Sequence, residues 1–234
     1  YGPQSIMGRP LYSADAGTSA IKSFHERAYG LKGAVLAATG IADHAAFVAA
    51  CEEGLSEAPL GQGVSAAAEV YMGGESRLHI PGTYFTHVAL GMPGPSSSAV
   101  ANVVKHCLVL SGVSAFTSSS LIGVYGTSPA SDAGTMFESL KGSLATPSAD
   151  IIKRAKALAK AEACLGLENG SQALAVAMTK GVLESGSFGG VSAAYDAVSE
   201  KDVTDAFVVM QTSNPSLAAV GDLSYVPYHA SILS

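Results

Sequence analysis

Hydrophobic positions along the chain change between helical and strand spacing, which predicts a fold that mixes helices and strands. The spacing over 18–28 predicts a helix that stops near Gly30. A short apolar run at 34–38 predicts a buried strand, and Asp43 is the expected N-cap of a second helix that reaches Leu55. A helix, a strand and a helix make only half of a packed unit.

The pattern restarts after a stretch rich in Gly, Pro, Ser and Ala at 58–68, which we interpret as a linker. Beyond it, 70–78 and 83–90 predict two strands joined as a hairpin at Pro81-Gly82, because proline fixes φ and glycine permits positive φ. Further helices are predicted over 95–110, 132–144, 147–165, a stretch beyond Asn169-Gly170, and a stretch opened by the capping-box pattern at 199–202. Strands are predicted within 114–127 and at 217–220.

These elements predict an α+β fold in two parts. Residues 1–57 are expected to be the C-terminal part of one domain, and residues 69–234 a second domain with an antiparallel-rich mixed sheet covered by helices. In both parts an apolar run ends in a short segment of small residues that contains glycine, at 38–40 and at 219–221. The first part therefore resembles the tail of a unit similar to the second.

The composition indicates a surface that is partly covered by something else. Only 14% of the 234 residues are charged, against about 25% in an ordinary soluble domain, while 48% are hydrophobic. The balance of 13 Lys and Arg against 19 Asp and Glu argues against a nucleic-acid partner. The longest stretch without charge or His, 107–131, has 13 Ser, Thr, Gly or Pro among its 25 residues, so we expect no membrane span.

Two further features concern the compartment and the start of the chain. The three cysteines are far apart and form no C-x-x-C pair, which favours buried thiols in a reducing compartment. The sequence begins at Tyr1 and carries no signal-peptide pattern. We therefore expect either that a targeting segment has been removed or that the chain is part of a longer gene product.

The motif search predicts no catalytic, cofactor-binding or metal-ligating residue. The six histidines form neither H-E-x-x-H nor H-x-x-E-H, and neither G-x-S-x-G nor a P-loop occurs. Gly61-Gln62-Gly63 has no strand before it, so it indicates a flexible linker rather than a dinucleotide site. His79 and His87 flank the predicted hairpin and are interpreted as a structural pair. Lys105 and Cys107 should point apart on their helix, with Cys107 in the core.

Short segments spread along the chain occur in an informative order. They are RPLY at 9–12, AATG at 37–40, GGESR at 73–77, THVALG at 86–91, SAF at 114–116, IGVYG at 122–126, ENGSQAL at 168–174, YDAVS at 195–199 and LAAVGDL at 217–223. In this order they resemble the mitochondrial processing peptidase family, a pitrilysin-like family that includes core proteins of the respiratory chain. The resemblance extends over nearly the whole chain.

The resemblance implies a function in electron transport without catalysis. It implies that 1–57 and 69–234 belong to two peptidase-like domains, and the zinc motif of the family's catalytic subunit has no counterpart here. The implied role is that of a structural core subunit of respiratory complex III, peripheral to the mitochondrial inner membrane on its matrix side. The implied partners are a core 1-like homologue, cytochrome b and cytochrome c1 in a dimeric complex, with no cofactor held by this chain.

Two other interpretations stay open. One is an alpha-type, substrate-binding subunit of the processing peptidase, whose glycine-rich loop would fall at the short junction between Gly112 and Val113. The other is a fragment of an active zinc peptidase. These interpretations differ from the structural role in requiring a substrate loop or a bound metal.

Overall fold

The fold consists of strands with alternating burial and of capped helices. The computed structural model describes residues 17–62, 71–118 and 121–228. These parts contain eight α-helices and five β-strands. The residues group into two units, which are unit 1 (1–70 with 165–190) and unit 2 (71–164 with 191–234). The division near residue 70 lies beside the predicted linker, whose residues 63–68 fall outside the described parts. The predicted assignment of 1–57 and 69–234 to two domains stays a prediction.

Unit 2 contains a five-stranded mixed sheet in the order β1-β5-β2-β4-β3. Its strands are β1 (Gly74–His79), β2 (Phe85–Pro93), β3 (Ser114–Ser118), β4 (Leu121–Pro129) and β5 (Ser216–Gly221). The pair β1 and β5 is parallel, and the other three pairs are antiparallel. The prediction of an α+β fold with an antiparallel-rich mixed sheet is confirmed for this unit.

The predicted hairpin at Pro81-Gly82 is wrong, because β5 lies between β1 and β2. The backbone groups around the turn bond to the end of β5 instead. The Ile80 N–H donates to the Gly221 carbonyl at 2.8 Å, and the Gly82 N–H donates to the Asp222 carboxylate at 3.4 Å. The residues do turn at Gly82, which has a φ of 76°, but a strand from residues 216–221 lies between the two strands that flank the turn.

The alternation along β2 decides which face of the sheet carries the core. Thr86, Val88, Leu90 and Met92 are fully buried, whereas their neighbours Phe85 and His87 are exposed. The buried face packs against five helices of unit 2. They are α3 (Ser98–Leu110), α4 (Ala133–Gly142), the part of α5 (Ala149–Leu167) up to Cys164, α7 (Val191–Asp196) and α8 (Glu200–Thr212).

Several helix boundaries follow the predicted capping signals. The Ser199 hydroxyl accepts from the Asp202 N–H while the Asp202 carboxylate accepts from the Ser199 N–H, so the predicted capping box opens α8. Asp43 caps α2 (His44–Leu55) through the Ala46 N–H, as expected. The predicted break at Asn169-Gly170 is confirmed, because Gly170 adopts a φ of 114° between α5 and the next helix.

Unit 1 carries the remaining helices and differs from unit 2 in its burial. Its helices are α1 (Thr18–Ala28), α2 and α6 (Ser171–Ser185). None of its described residues is buried, and Leu36, Leu60 and Leu183 are each more than 60% exposed. The predicted strand at 34–38 is wrong: these described residues form no strand, and the backbone there turns through an Ala34 N–H bond to Leu31. No helix of the described residues is long and apolar enough to cross a membrane.

A charged clamp joins α3 to α5 inside unit 2. The Lys105 ammonium donates to the Glu162 carboxylate at 2.9 Å, and His106 Nε2 lies 2.7 Å from the same carboxylate oxygen. The hydrogen bond from Lys105, followed by that from His106, holds the pKa of the Glu162 carboxyl below its usual value. A carboxyl with a lowered folded-state pKa stabilises the fold above its unfolded pKa and loses that effect as the pH falls through the folded value.

We expect the clamp to give a small, pH-dependent stabilisation. Glu162→Gln should lower the free energy of unfolding by about 1 kcal/mol or less at neutral pH, since the Glu162 side chain is 58% exposed to screening water. The difference should shrink as the pH falls through the lowered pKa of the folded-state carboxyl, because the wild-type side chain then becomes neutral as well. Urea unfolding monitored by circular dichroism measures both values, with Glu168→Gln as the control. An unchanged difference at acid pH would contradict the assignment.

The one-sided burial of the sheet predicts unequal costs for two leucines. Leu90→Ala empties a fully buried position on β2 and should cost about 2–5 kcal/mol of unfolding free energy. Leu78→Ala on β1 removes a side chain that is 57% exposed and should cost about 0.5 kcal/mol or less. The same urea titration compares the two variants, and equal costs would show that both faces of the sheet are covered.

Candidate interaction surface on the sheet

The second face of the sheet presents apolar side chains from four strands. We call it the open face; its larger members are Leu78 on β1, Val220 on β5, Phe85 on β2, and Leu121 and Tyr125 on β4. Leu78 is 57% exposed, Phe85 52%, and Val220 and Tyr125 are each 40% exposed. A contiguous apolar face that stays accessible is typical of a surface that binds another polypeptide.

Small residues keep the open face shallow between these larger side chains. Ala89 on β2 pairs with Ala218 on β5, so no bulky group stands at the centre of the sheet. Gly123 lies under the Phe116 ring, and a Cβ at this position would come within 2.4 Å of that ring. The glycine is therefore required for the ring of the edge strand β3 to lie flat over β4.

A polar cluster of three side chains interrupts the apolar surface. His87 Nδ1 lies 2.6 Å from the Tyr125 hydroxyl and 3.1 Å from the Thr127 hydroxyl, and Thr127 donates to Tyr125 at 2.8 Å. The antiparallel register of β2 and β4 produces this grouping by pairing His87 with Thr127 and Ala89 with Tyr125. These three residues form what we call the His87 cluster.

Counting protons in the His87 cluster predicts one tautomer of the neutral imidazole. Each hydroxyl has one proton. The Thr127 proton is donated to the Tyr125 oxygen, and we expect Tyr125 to donate its own proton to His87 Nδ1, which lies 2.6 Å away. With Nδ1 as the acceptor, the proton of the neutral ring is on Nε2. His87 therefore contributes one N–H donor to a surface that is otherwise mainly apolar.

A tyrosine just before β1 fixes one end of the open face. The Tyr71 hydroxyl donates to the Gly91 carbonyl at 2.7 Å and lies 3.0 Å from the Ser216 hydroxyl. Burial raises the pKa of this tyrosine above its ordinary value. Tyr71 thereby connects the start of unit 2 to β2 and β5.

The structure separates the residues that the sequence placed near the predicted hairpin. His79 accepts a hydrogen bond from the Leu223 N–H, whereas His87 belongs to the open face. The predicted structural pair is therefore wrong, because β5 lies between the two strands. Sequence inspection also missed the partners of His87, since only the register of β2 and β4 brings Tyr125 and Thr127 to it.

The structure also places the thiol that the sequence singled out, and it shows why glycine stands just before β1. Cys107 is fully buried in α3, as predicted, and burial raises the pKa of its thiol to about 11. Lys105 does not face it but binds Glu162. Gly73 has a φ of 66°, and a Cβ there would come within 2.3 Å of the Asn214 carbonyl, so this position requires glycine.

Within the described parts of the chain, no three His, Cys, Asp or Glu side chains come together in a way that could hold a metal ion. The sequence also predicted no catalytic, cofactor-binding or metal-ligating residue. That statement stays a prediction. The open face is the feature of unit 2 that is typical of a surface that binds a partner.

The fold defines a class of protein: a mixed α/β chain whose five-stranded sheet has helices on one face. A chain of Complex III2 from Candida albicans, solved with Inz-5 bound, has a similar fold, with a TM-score of 0.62 and 14% sequence identity. The similarity covers 82% of this chain and 55% of that chain, so this chain spans about half the length of its structural neighbour. No protein-family model and no curated protein matches the sequence. At this identity the likeness shows the fold alone.

The proton count predicts the tautomer of His87. In wild-type protein, ¹⁵N NMR of the imidazole should show the Nε2–H form, and Tyr125→Phe should weaken this preference because the donor at 2.6 Å is lost. The variant should cost about 1 kcal/mol or less of unfolding free energy. Tyr84→Phe, at a position 71% exposed, is the control and should change neither measurement. A dominant Nδ1–H form in the wild type would contradict the assignment.

Proposed function

We propose that this chain is a non-catalytic, core 2-like structural subunit of mitochondrial ubiquinol-cytochrome c reductase, complex III. In this role it supports the assembly and stability of the complex from the matrix side of the inner membrane. Its partners would be a core 1-like homologue, cytochrome b and cytochrome c1. The observation that carries the proposal is the fold that the chain shares with a chain of Complex III2.

The order of short motifs supports the same assignment independently of the fold. Segments such as THVALG at 86–91 and LAAVGDL at 217–223 resemble the family to which the core proteins of complex III belong. These two segments form β2 and β5, which lie side by side in the sheet. The resemblance in sequence therefore includes two adjacent strands of the sheet.

The open face and the low charge support a role inside an assembly. Large interfaces of permanent complexes are more apolar than ordinary protein surfaces. Leu78, Val220 and Phe85 would supply such an apolar area, and the His87 cluster would supply a directional hydrogen bond within it. Only 14% of the residues are charged, fewer than in an ordinary soluble domain, so fewer charged groups would lose their hydration in an interface.

A structural rather than catalytic role agrees with the chemistry of the side chains. The sequence contains no zinc-peptidase motif, and the one thiol in the core has a pKa of about 11, which keeps it protonated and unreactive. The hydroxyl groups of the open face bond to one another around His87, where no carboxylate orients the imidazole. These features supply no activated nucleophile.

We expect the chain to enter complex III through the open face. A tagged wild-type chain expressed in its native cells should co-migrate on native gels with haem-stained subunits, and mass spectrometry of that band should identify cytochrome c1. Val220→Lys places a charge on the open face and should reduce incorporation at least about tenfold, because an unpaired charge in an interface is costly.

The matched control is Val208→Lys on α8, where the wild-type valine is 48% exposed, close to the 40% of Val220. This variant should enter the complex as the wild type does, and circular dichroism should show that both variants are folded. A wild-type chain that migrates apart from all haem-bearing bands would overturn the proposed function. Equal incorporation of the two variants would overturn the role of the open face.

A further inference from the structure

The last described segment of the chain lies across β1 and closes one side of the core. This segment, residues 222–228, is here called the strap. Leu223 and Val226 are 7% and 5% exposed, and both belong to the apolar core under the sheet. Burial of these two apolar side chains stabilises the strap in this position, and polar contacts hold its two ends.

Arg77 holds the far end of the strap. Its guanidinium donates to the Val226 carbonyl and to the Pro227 carbonyl, each at 2.9 Å, and lies 4.7 Å from the centre of the Tyr228 ring. It also bonds to Glu75 at 3.0 Å on the same strand. Because arginine is charged at every accessible pH, this end of the strap does not respond to protons.

His79 holds the near end, and its contact has a definite proton requirement. The Leu223 N–H donates to His79 Nδ1 at 3.0 Å. A backbone N–H can only donate, so Nδ1 must be free of a proton for this bond to exist. A protonated imidazole carries a proton on both nitrogens, so its Nδ1–H and the Leu223 N–H would both be donors and could not bond to each other. The hydrogen bond of Leu223 therefore exists only while His79 is neutral.

We infer that the strap is proton-sensitive and that protonation of His79 loosens its near end from β1 while Arg77 keeps hold of its far end. Histidine is the side-chain type that pH changes near neutrality most readily switch between neutral and charged forms. Loosening would withdraw Leu223 from the core and open the region between β1 and the strap.

The charged groups around His79 do not remove this effect. On the strap, the Asp222 carboxylate has one oxygen bonded to the Ser224 hydroxyl and N–H, and its other oxygen accepts from Gly82. These bonds, the Ser224 hydroxyl first, hold the pKa of Asp222 below its usual value. Asp222 attracts a charged imidazole, and a ring that turns toward it also leaves the Leu223 N–H without its acceptor.

The other neighbouring elements contribute one ion pair and a hydroxyl group. On β1, Arg77 and Glu75 form an ion pair. On β2, Thr86 donates to the Asp222 carbonyl at 2.7 Å and does not titrate. On β5, the residues 216–221 carry no charged side chain. The response of the near end is therefore assigned to His79.

Hydrogen exchange of the intact chain tests the strap. After correction for the intrinsic rate, exchange of the Leu223 amide should rise roughly five- to tenfold between about pH 7.5 and pH 5.5, the change expected for one lost hydrogen bond. His79→Asn offers an amide oxygen in place of Nδ1 and does not titrate, so its strap should exchange at the same corrected rate at both pH values. His87→Asn on the opposite face should keep the wild-type pH dependence.

Two results would overturn the inference. One is a corrected exchange rate that does not change with pH in the wild type, and the other is a pH dependence that survives in His79→Asn. A measurement on the wild type alone gives a third check that does not depend on the folding of a variant: ¹⁵N NMR at neutral pH should show an unprotonated Nδ1 in His79. A protonated Nδ1 there would exclude the bond and the strap response with it.

Discussion

The structure of unit 2 depends on the burial of one face of β2. Val88, Leu90 and Met92 are fully buried, and the helices α3, α4 and α8 reach the sheet on this side. At about 25 cal/mol for each square ångström of apolar surface removed from water, this layer is the main favourable term that offsets the entropy of ordering the chain. The neighbours of β2 on either side, β4 and β5, take their register from it.

One-sided burial leaves the same strands with a second face, and the function proposed for the chain belongs to that face. The two faces differ in chemistry as well as in exposure. The buried face carries long aliphatic side chains, while the open face has alanine and glycine at its centre and a hydrogen-bonded histidine, His87, among apolar groups. A small, flat centre allows another backbone to approach closely. This arrangement suits a lasting contact with a second polypeptide better than the binding of a small molecule in a deep pocket.

Local signals in the sequence predicted much of the secondary structure, because capping and alternation act over a few residues. The capping box at Ser199, the Asp43 cap and the glycine break at Gly170 were all predictable in this way. The order of the strands was not, since the turn at Pro81-Gly82 has the chemistry of a hairpin while β5 competes for the same edge of β2. The His87 cluster escaped prediction for the same reason: its members meet only through the pairing of β2 with β4.

The position of β5 has a consequence for how the protein is made. Among the described residues β5 is the last strand in chain order, yet it lies between β1 and β2, which come first in that order. On the ribosome, β1 and β2 emerge with the edges that β5 will occupy still unpaired, and these edges can bind other chains until residues 216–221 have been made. Contacts between the two ends of a unit also slow folding, because a long loop must close before the pairing is gained. A newly made chain of this kind is expected to depend on chaperones, because a chain that ends before residue 216 lacks the strand that joins β1 to β2.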